Sequence, residues 1–319
     1  ITRIALFDPE AMSIVSFLIK RSLWIVATLW LVYTVSFFLM RSVPGGPFSS
    51  ERNVPPEIER NLKARYNLDL PLWEQYQLNL SEAIRGDLGP SLTLQDYSVN
   101  EVIAEGFPVS ASLGILAMTF ALSVGVTTGV ISAVRRYQVW DRSLMTLATL
   151  GIAIPNFVLA SLLIMTFVFL VPLFPSGGWG SLSHLVLPVI ALGSAYAASI
   201  ARLTRTGMLE VIGQDFITTA KAKGLSERTV LMRHALPCAL TPVVSYLGPA
   251  TAGILTGSLV LEKVFFLPGM GSHFIEAALQ RDYPLALGMV LVYTLLLMVL
   301  NLIVDFTYAI LDPRVELQA

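Results

Sequence analysis

The chain of 319 residues is 55% hydrophobic and only 13% charged, about half the charge of a soluble domain, which excludes an ordinary cytosolic enzyme and a disordered scaffold. With 21 Lys and Arg against 22 Asp and Glu, no global field exists to hold a nucleic acid. A single cysteine, Cys238, excludes an intrachain disulfide framework and a thiolate metal site, and what remains is an integral membrane protein.

Residues 1–21 read as a cytoplasmic N-terminal segment, with Met12 as a natural start, and residues 22–319 as a membrane domain. A spanning helix needs about 20 mainly apolar residues. Stretches almost free of charge place six of them, at Ser22–Met40, Gly106–Val134, Ser143–Val171, Leu185–Ala201, Ala235–Leu261 and Tyr283–Val304. The third and fourth are separated by Pro172, Pro175, Gly177, Gly178 and Gly180. The first run is longer than a signal-peptide core and ends on Phe38-Leu39-Met40, so it reads as an uncleaved anchor. The fold expected is all-α, with six transmembrane helices and an external helical segment between spans one and two.

Basic residues orient the chain. Thirteen Lys and Arg lie on the side shared by both termini, and only Lys263 and Arg281 in the short loops opposite, so both termini are expected in the cytoplasm. The external segment, 41–105, carries its own helices. Pro55-Pro56 leads into Glu57–Tyr66, and Pro71 opens a stretch with Leu72, Tyr76, Leu80 and Ile84 at helical spacing, stopped by Gly86. It reads as a small helical cap over an outer mouth.

Chemistry is sparse. His184, His234 and His273 form no His-Glu-x-x-His pattern, and no Gly-x-Ser-x-Gly elbow occurs. A phosphate-binding P-loop ends in Lys followed by Ser or Thr. The five lysines here precede Arg21, Ala64, Ala222, Gly224 and Val264, so ATP hydrolysis by that route is excluded. The spans hold few ionisable groups of the kind that couple ions to transport; Asp305, near Asp312 and Arg314, is the main exception. An ion-coupled carrier or a self-sufficient channel is therefore the lesser reading.

The longest cytoplasmic stretch, 202–236, carries more. Asp215 stands where it could cap a helix over Phe216–Lys223, and Lys221 and Lys223 suit that helix's negative end. Gly224 stops it, and Ser226 caps a following helix toward Pro237. A short helix held between two flanking helices is a shape suited to a groove on another protein. Gly224 as a helix stop alone remains the alternative, and His234 is better read as packing than as a ligand.

The loop resembles the EAA motif of bacterial ABC importer permeases: Thr218-Thr219-Ala220, three residues, Gly224, nine residues, then His234-Ala235-Leu236-Pro237. Thr218, Thr219 and His234 depart from the common Glu, Ala and Ile in a way that resembles the peptide-transporter branch. Phe38–Pro47, Gly86-Asp-Leu-Gly-Pro-Ser91, Asp96-Tyr-Ser-Val-Asn100, Arg202-Leu-Thr-Arg205 and Leu267-Pro-Gly-Met-Gly271 extend the resemblance over nearly the whole chain. It is similar to the B-type permease of oligopeptide importers. Dipeptide, nickel and glutathione systems are the alternatives within the same family.

That resemblance implies the type I importer permease fold and a transport subunit rather than an enzyme. It implies a second, homologous permease (the C-type subunit), two ABC ATPase subunits that bind ATP and Mg, and an extracytoplasmic peptide-binding protein. The chain itself would hold no cofactor and no metal, contact membrane lipid but no nucleic acid, and lie in the bacterial inner membrane. Asp215, Thr218, Thr219, Ala220, Lys223, Gly224, His234, Leu236 and Pro237 would form the ATPase-coupling element. Gly125-xxx-Gly129 and Gly253-xxx-Gly257 read as sites of close helix packing.

Overall fold

The computed structural model describes the backbone of residues 9–43, 66–94 and 96–311, and the side chains of 19–43, 66–94, 96–255 and 258–303. The helix expected from Glu57, and the side chains of Asp305, Asp312 and Arg314, lie outside the described residues. In chain order the helices are α1 (Pro9–Ser42), α2 (Leu72–Ile84), α3 (Val99–Val134), α4 (Val139–Ala153), α5 (Asn156–Ile164), α6 (Leu182–Ile212), α7 (Asp215–Ala222), α8 (Thr241–Val264), α9 (Met270–Gln280) and α10 (Tyr283–Leu311). Short helical pieces link α7 to α8, and among the described residues no strand forms beyond one antiparallel bridge, Pro90 to Ser98.

Among the described residues, four single helices are long and apolar enough to cross a membrane: Ile19–Ser42, Val99–Val134, Leu182–Ile212 and Tyr283–Ile303. They match the first, second, fourth and sixth expected spans. The third expected span, Ser143–Val171, is covered by a bent pair of helices. Val139–Ala153 and Asn156–Leu170 meet at 106°, because Pro155 offers no N–H and its ring pushes the preceding residue out of the helical region. Ile154 accordingly sits at φ −85°, ψ 122°. Each leg is about 22 Å long, less than the ~30 Å of a hydrocarbon core. The fifth span is also reset, by 51°, between Glu227–Ala239 and Thr241–Leu255, with Pro237 and Pro242 each opening a new helix.

Two compact units divide the chain, one made of residues 1–107 and 273–319, the other of Pro108–Ser272. In the first, α1 runs along α10, and α2 lies against both. Tyr76 is buried among Tyr33, Phe37 and Leu287, with ring centroids 5.5 Å from both Phe37 and Phe38. Its hydroxyl meets Thr34 Oγ1 at 2.9 Å. Aromatic pairs of this kind add about 1 kcal/mol each beyond their burial, so α2 is fastened to the flank of α1 near its C-terminal end. Leu23, Trp24, Trp30, Leu31, Val35 and Leu39 stay exposed along α1, as expected of a surface solvated by lipid rather than water.

In the second unit the core gathers Leu113, Ala117, Leu187, Leu192, Ile254, Leu261 and Phe265 from α3, α6, α8 and the end of α8. The Gly125–Gly129 pair lies where α3 meets α6 backbone to side chain. A Cβ on Gly125 would fall 2.7 Å from the Ala197 carbonyl oxygen, and one on Gly129 2.5 Å from Thr204 Cβ. Close helix packing is thus what these glycines do. Glu262, fully buried, turns the Leu267–Gly271 segment around its carboxylate: Oε2 accepts the N–H groups of Gly271 at 2.8 Å and Ser272 at 3.3 Å.

Candidate coupling site

The 202–236 stretch is mostly helix. α6 runs past the expected end of the fourth span at Ala201 to Ile212 and so supplies the first of the two flanking helices, its buried stripe running on through Thr204, Gly207, Met208 and Val211. After Gly213 and Gln214, α7 begins. Asp215 is its first residue rather than its cap: Gln214 holds the N-cap position and makes no side-chain capping bond. Asp215 still favours the helix, since a carboxylate in the first turn meets the positive end of the dipole. Lys223 is the C-cap, and Gly224 follows at φ +75°, the left-handed conformation that a glycine adopts without strain. Ser226 then caps the next turn, its Oγ accepting the Thr229 N–H at 3.3 Å.

α7 is amphipathic over two turns. Ile217 and Ala220 are buried against Met208 and Val211 of α6 and against Val230, Ala235 and Ala239 of the returning segment, with Leu236 packed at the edge. The opposite face stays open: Asp215, Phe216, Thr218, Thr219 and Lys223 are all exposed, Phe216 at 41%. Leu225 and Met232, after α7 in the chain, are also exposed apolar side chains. His234 is half-buried and Pro237 exposed. The structure thus brings Ala220 and Leu236 together on the inner side, and turns Thr218, Thr219 and Lys223 outward. Phe216, Leu225 and Met232 were not singled out from the sequence; only the helical spacing of Phe216, Thr219 and Lys223 carried a trace of them.

A further group holds the base of this element. The Arg205 guanidinium grips Asp141 with two parallel bonds, Nε to Oδ1 at 2.7 Å and Nη2 to Oδ2 at 2.9 Å. The Ser132 hydroxyl bonds Oδ1, and the Tyr137 N–H donates to Oδ2 at 2.9 Å. Asp141 is 4% exposed, so this bidentate pair ties the α3–α4 turn to α6 two turns before α7. Arg205 belongs to a motif read from the sequence; its partner 64 residues away was not legible there. Among the described residues, no group of three His, Cys, Asp or Glu is placed to hold a metal.

The element offers no reactive group. It offers an apolar and hydroxyl-bearing face, packed on one side and open on the other. Residues 125–317 match the family model described as binding-protein-dependent transport system inner membrane component. The chain is 46% identical over 302 residues to the oligopeptide transport system permease protein OppB of Escherichia coli, covering 94% of this chain and 99% of that one. The protein of the same name from Haemophilus influenzae is 47% identical over the same length. The dipeptide transport system permease protein DppB of Bacillus subtilis is 46% identical over 301 residues, covering 94% of this chain and 98% of that one. Among solved structures, the inward-facing MetNI methionine ABC transporter aligns with a TM-score of 0.55 at 18% identity, over 66% of this chain and 96% of that one.

Proposed function

The chain belongs to the family of binding-protein-dependent transport system inner membrane components, and from that premise we propose that it carries oligopeptides inward as the B-type permease of an ATP-driven importer. It is a membrane permease subunit of an ABC importer, not an ATP-hydrolysing enzyme. Its path is shared with a second, homologous permease. Two ATPase subunits beneath it bind ATP and Mg, and an extracytoplasmic binding protein delivers the peptide. The chain lies in the inner membrane with both termini cytoplasmic, an orientation that rests on the thirteen-to-two distribution of short-loop basic residues.

The observation that carries the reading is the two-sided α7. Ile217 and Ala220 root it in the core of its own unit, while Phe216, Thr218, Thr219 and Lys223 remain open for a groove on an ATPase. Closure of the ATPases then pulls on α6 through that rooted side. Asp215, Gly224, His234, Leu236 and Pro237 shape the element and its exit into α8. A dipeptide is the second reading, favoured by the equal similarity to the Bacillus subtilis protein.

The test reconstitutes the chain with its candidate partners and compares two faces of one helix. Thr219→Arg, on the open face, should abolish uptake and ATPase association while the permease stays in the membrane at normal level. Ala220→Arg, on the rooted face, should lower the permease level itself, since a buried unpaired charge costs several kcal/mol. Normal uptake with Thr219→Arg and with Phe216→Ala would overturn the docking role. Uphill peptide uptake by the lone chain on an ion gradient would make it a carrier instead.

A further inference from the structure

A cavity of about 160 Å³ opens in the first unit where the C-terminal end of α1 faces α2, the 86–92 loop and the start of α10. It lies well below the ~300 Å³ of a pocket for a drug-sized molecule, and so is too small for a peptide. Its walls are charged. Arg41, Glu82 and Asp87 all line it, beside Tyr33, Tyr283 and Leu287. The Arg41 guanidinium stands 5.0 Å over the ring of Tyr283 and 5.4 Å over that of Phe37, held in place by two π faces. Among the described residues it forms no ion pair with either carboxylate. Tyr33 lies within electrostatic reach of both Arg41 and Glu82, and its hydroxyl, buried at the wall, has no hydrogen-bond partner among the described residues.

A small cavity that keeps one cation and two carboxylates apart suits a ligand that itself carries both signs. Its depth selects the source. Arg41 is in the last turn of the span Ile19–Ser42, where the hydrocarbon region gives way to the headgroup layer. Phe38 and Trp30, three and eleven residues before Arg41 and so on its side of the helix, are exposed and continue from there down α1 as an apolar track. We propose that this cavity holds the headgroup of an amine-bearing phospholipid. Arg41 receives the phosphodiester, Glu82 and Asp87 the primary ammonium, and the acyl chains follow α1 along Phe38 and Trp30. Tyr33 and Phe37, from the aromatic cluster that fastens α2 to α1, line the cavity, so an occupant would brace the external segment against its span. The proposal rests on the chain's being a membrane permease subunit and not on its substrate, so a failed peptide assay leaves it untouched.

The experiment uses the assembled transporter, delipidated by detergent exchange and offered equal amounts of phosphatidylethanolamine, phosphatidylcholine and phosphatidylglycerol of matched acyl chains. Native mass spectrometry then reads the lipid retained on this chain. Phosphatidylethanolamine should be retained about tenfold over the other two, the worth of one charge-assisted hydrogen bond. Glu82→Gln combined with Asp87→Asn should erase the preference over phosphatidylcholine. Arg41→Gln should weaken both zwitterionic lipids, and Arg41→Lys should restore much of the binding. Soluble glycerophosphoethanolamine at equal concentration should not displace the lipid; displacement would make this a site for a free phosphodiester and overturn the lipid assignment. Equal retention of all three lipids, or a preference for phosphatidylglycerol or phosphatidylcholine, would also overturn it. Should Arg41→Gln fail to assemble, the double carboxylate variant decides alone: an unchanged preference refutes the proposal.

Discussion

Two buried aspartates, one in each unit, are held in opposite ways. Asp141 faces a cation: Arg205 supplies two of its bonds, and the Ser132 hydroxyl and Tyr137 N–H fill the rest. Asp282, with no exposed surface, faces neutral donors. Its Oδ2 accepts from the Ser91 hydroxyl at 2.5 Å, the Leu92 N–H at 2.9 Å, and the N–H and hydroxyl of Thr93 at 3.0 and 2.8 Å, while Oδ1 takes the Leu285 N–H at 3.2 Å. One carboxylate clasps a long side chain across two helices. The other gathers a loop that begins 191 residues earlier and pins it to the start of α10. Gly86–Ser91, read as a family signature, thus holds this chain together through its last residue, Ser91.

The contrast can be broken most forcefully at Asp282. Asp282→Ala leaves several buried donors without an acceptor, each costing roughly 1–3 kcal/mol, so the purified chain should lose about 4 kcal/mol of stability in thermal or denaturant unfolding in detergent. Asp282→Asn, which keeps one acceptor oxygen, should lose about half of that; a loss under about 1 kcal/mol in both would show that the loop is held by something else. At Asp141 the effect is smaller because Arg205 keeps some water contact. A double-mutant cycle with Asp141→Asn and Arg205→Gln should give a coupling energy of about 2 kcal/mol, concentrated in that single pair. A coupling near zero would reduce the clasp to a solvent-screened contact. Smallest is Ser91→Ala, expected to cost about 1 kcal/mol because the backbone donors of Leu92 and Thr93 still hold the carboxylate. If it costs as much as Asp282→Ala, the holding is not shared among donors and the comparison fails.

Much of this was legible in advance, for reasons that differ from element to element. The spans at α1, α3, α6 and α10 follow from the length of their charge-free runs, since no other use of twenty apolar residues is cheap. Gly224 announced the end of α7, because few residues accept φ +75° without strain. The small-residue pair Gly125 and Gly129 likewise announced the close approach to α6. The bend of the third span was not foreseen, although a proline stands at its junction. Pro155 sits within an uncharged stretch that hydropathy reads as one span, but hydropathy counts residues and is blind to the loss of an N–H at a single position. Asp215 misled for a subtler reason: a carboxylate at the cap and one in the first turn leave nearly the same pattern.

By its sequence alone this chain is a membrane-spanning helical one, with a short helix closed by Gly224 between two of its spans and no Lys-Ser or Lys-Thr pair of a phosphate-binding loop. Those properties depend on composition, on runs of like residues and on spacing within a few turns, all of which are local. Tertiary structure decided which side of α7 faces outward, because that depends on where α6 and the segment through Ala239 come to lie against Ile217 and Ala220. It also decided the partners of Asp141 and Asp282, since a hydrogen bond needs a fit within tenths of an ångström between residues far apart in the chain. No periodicity in the sequence encodes that distance; only the packed helices bring the two ends of each bond together.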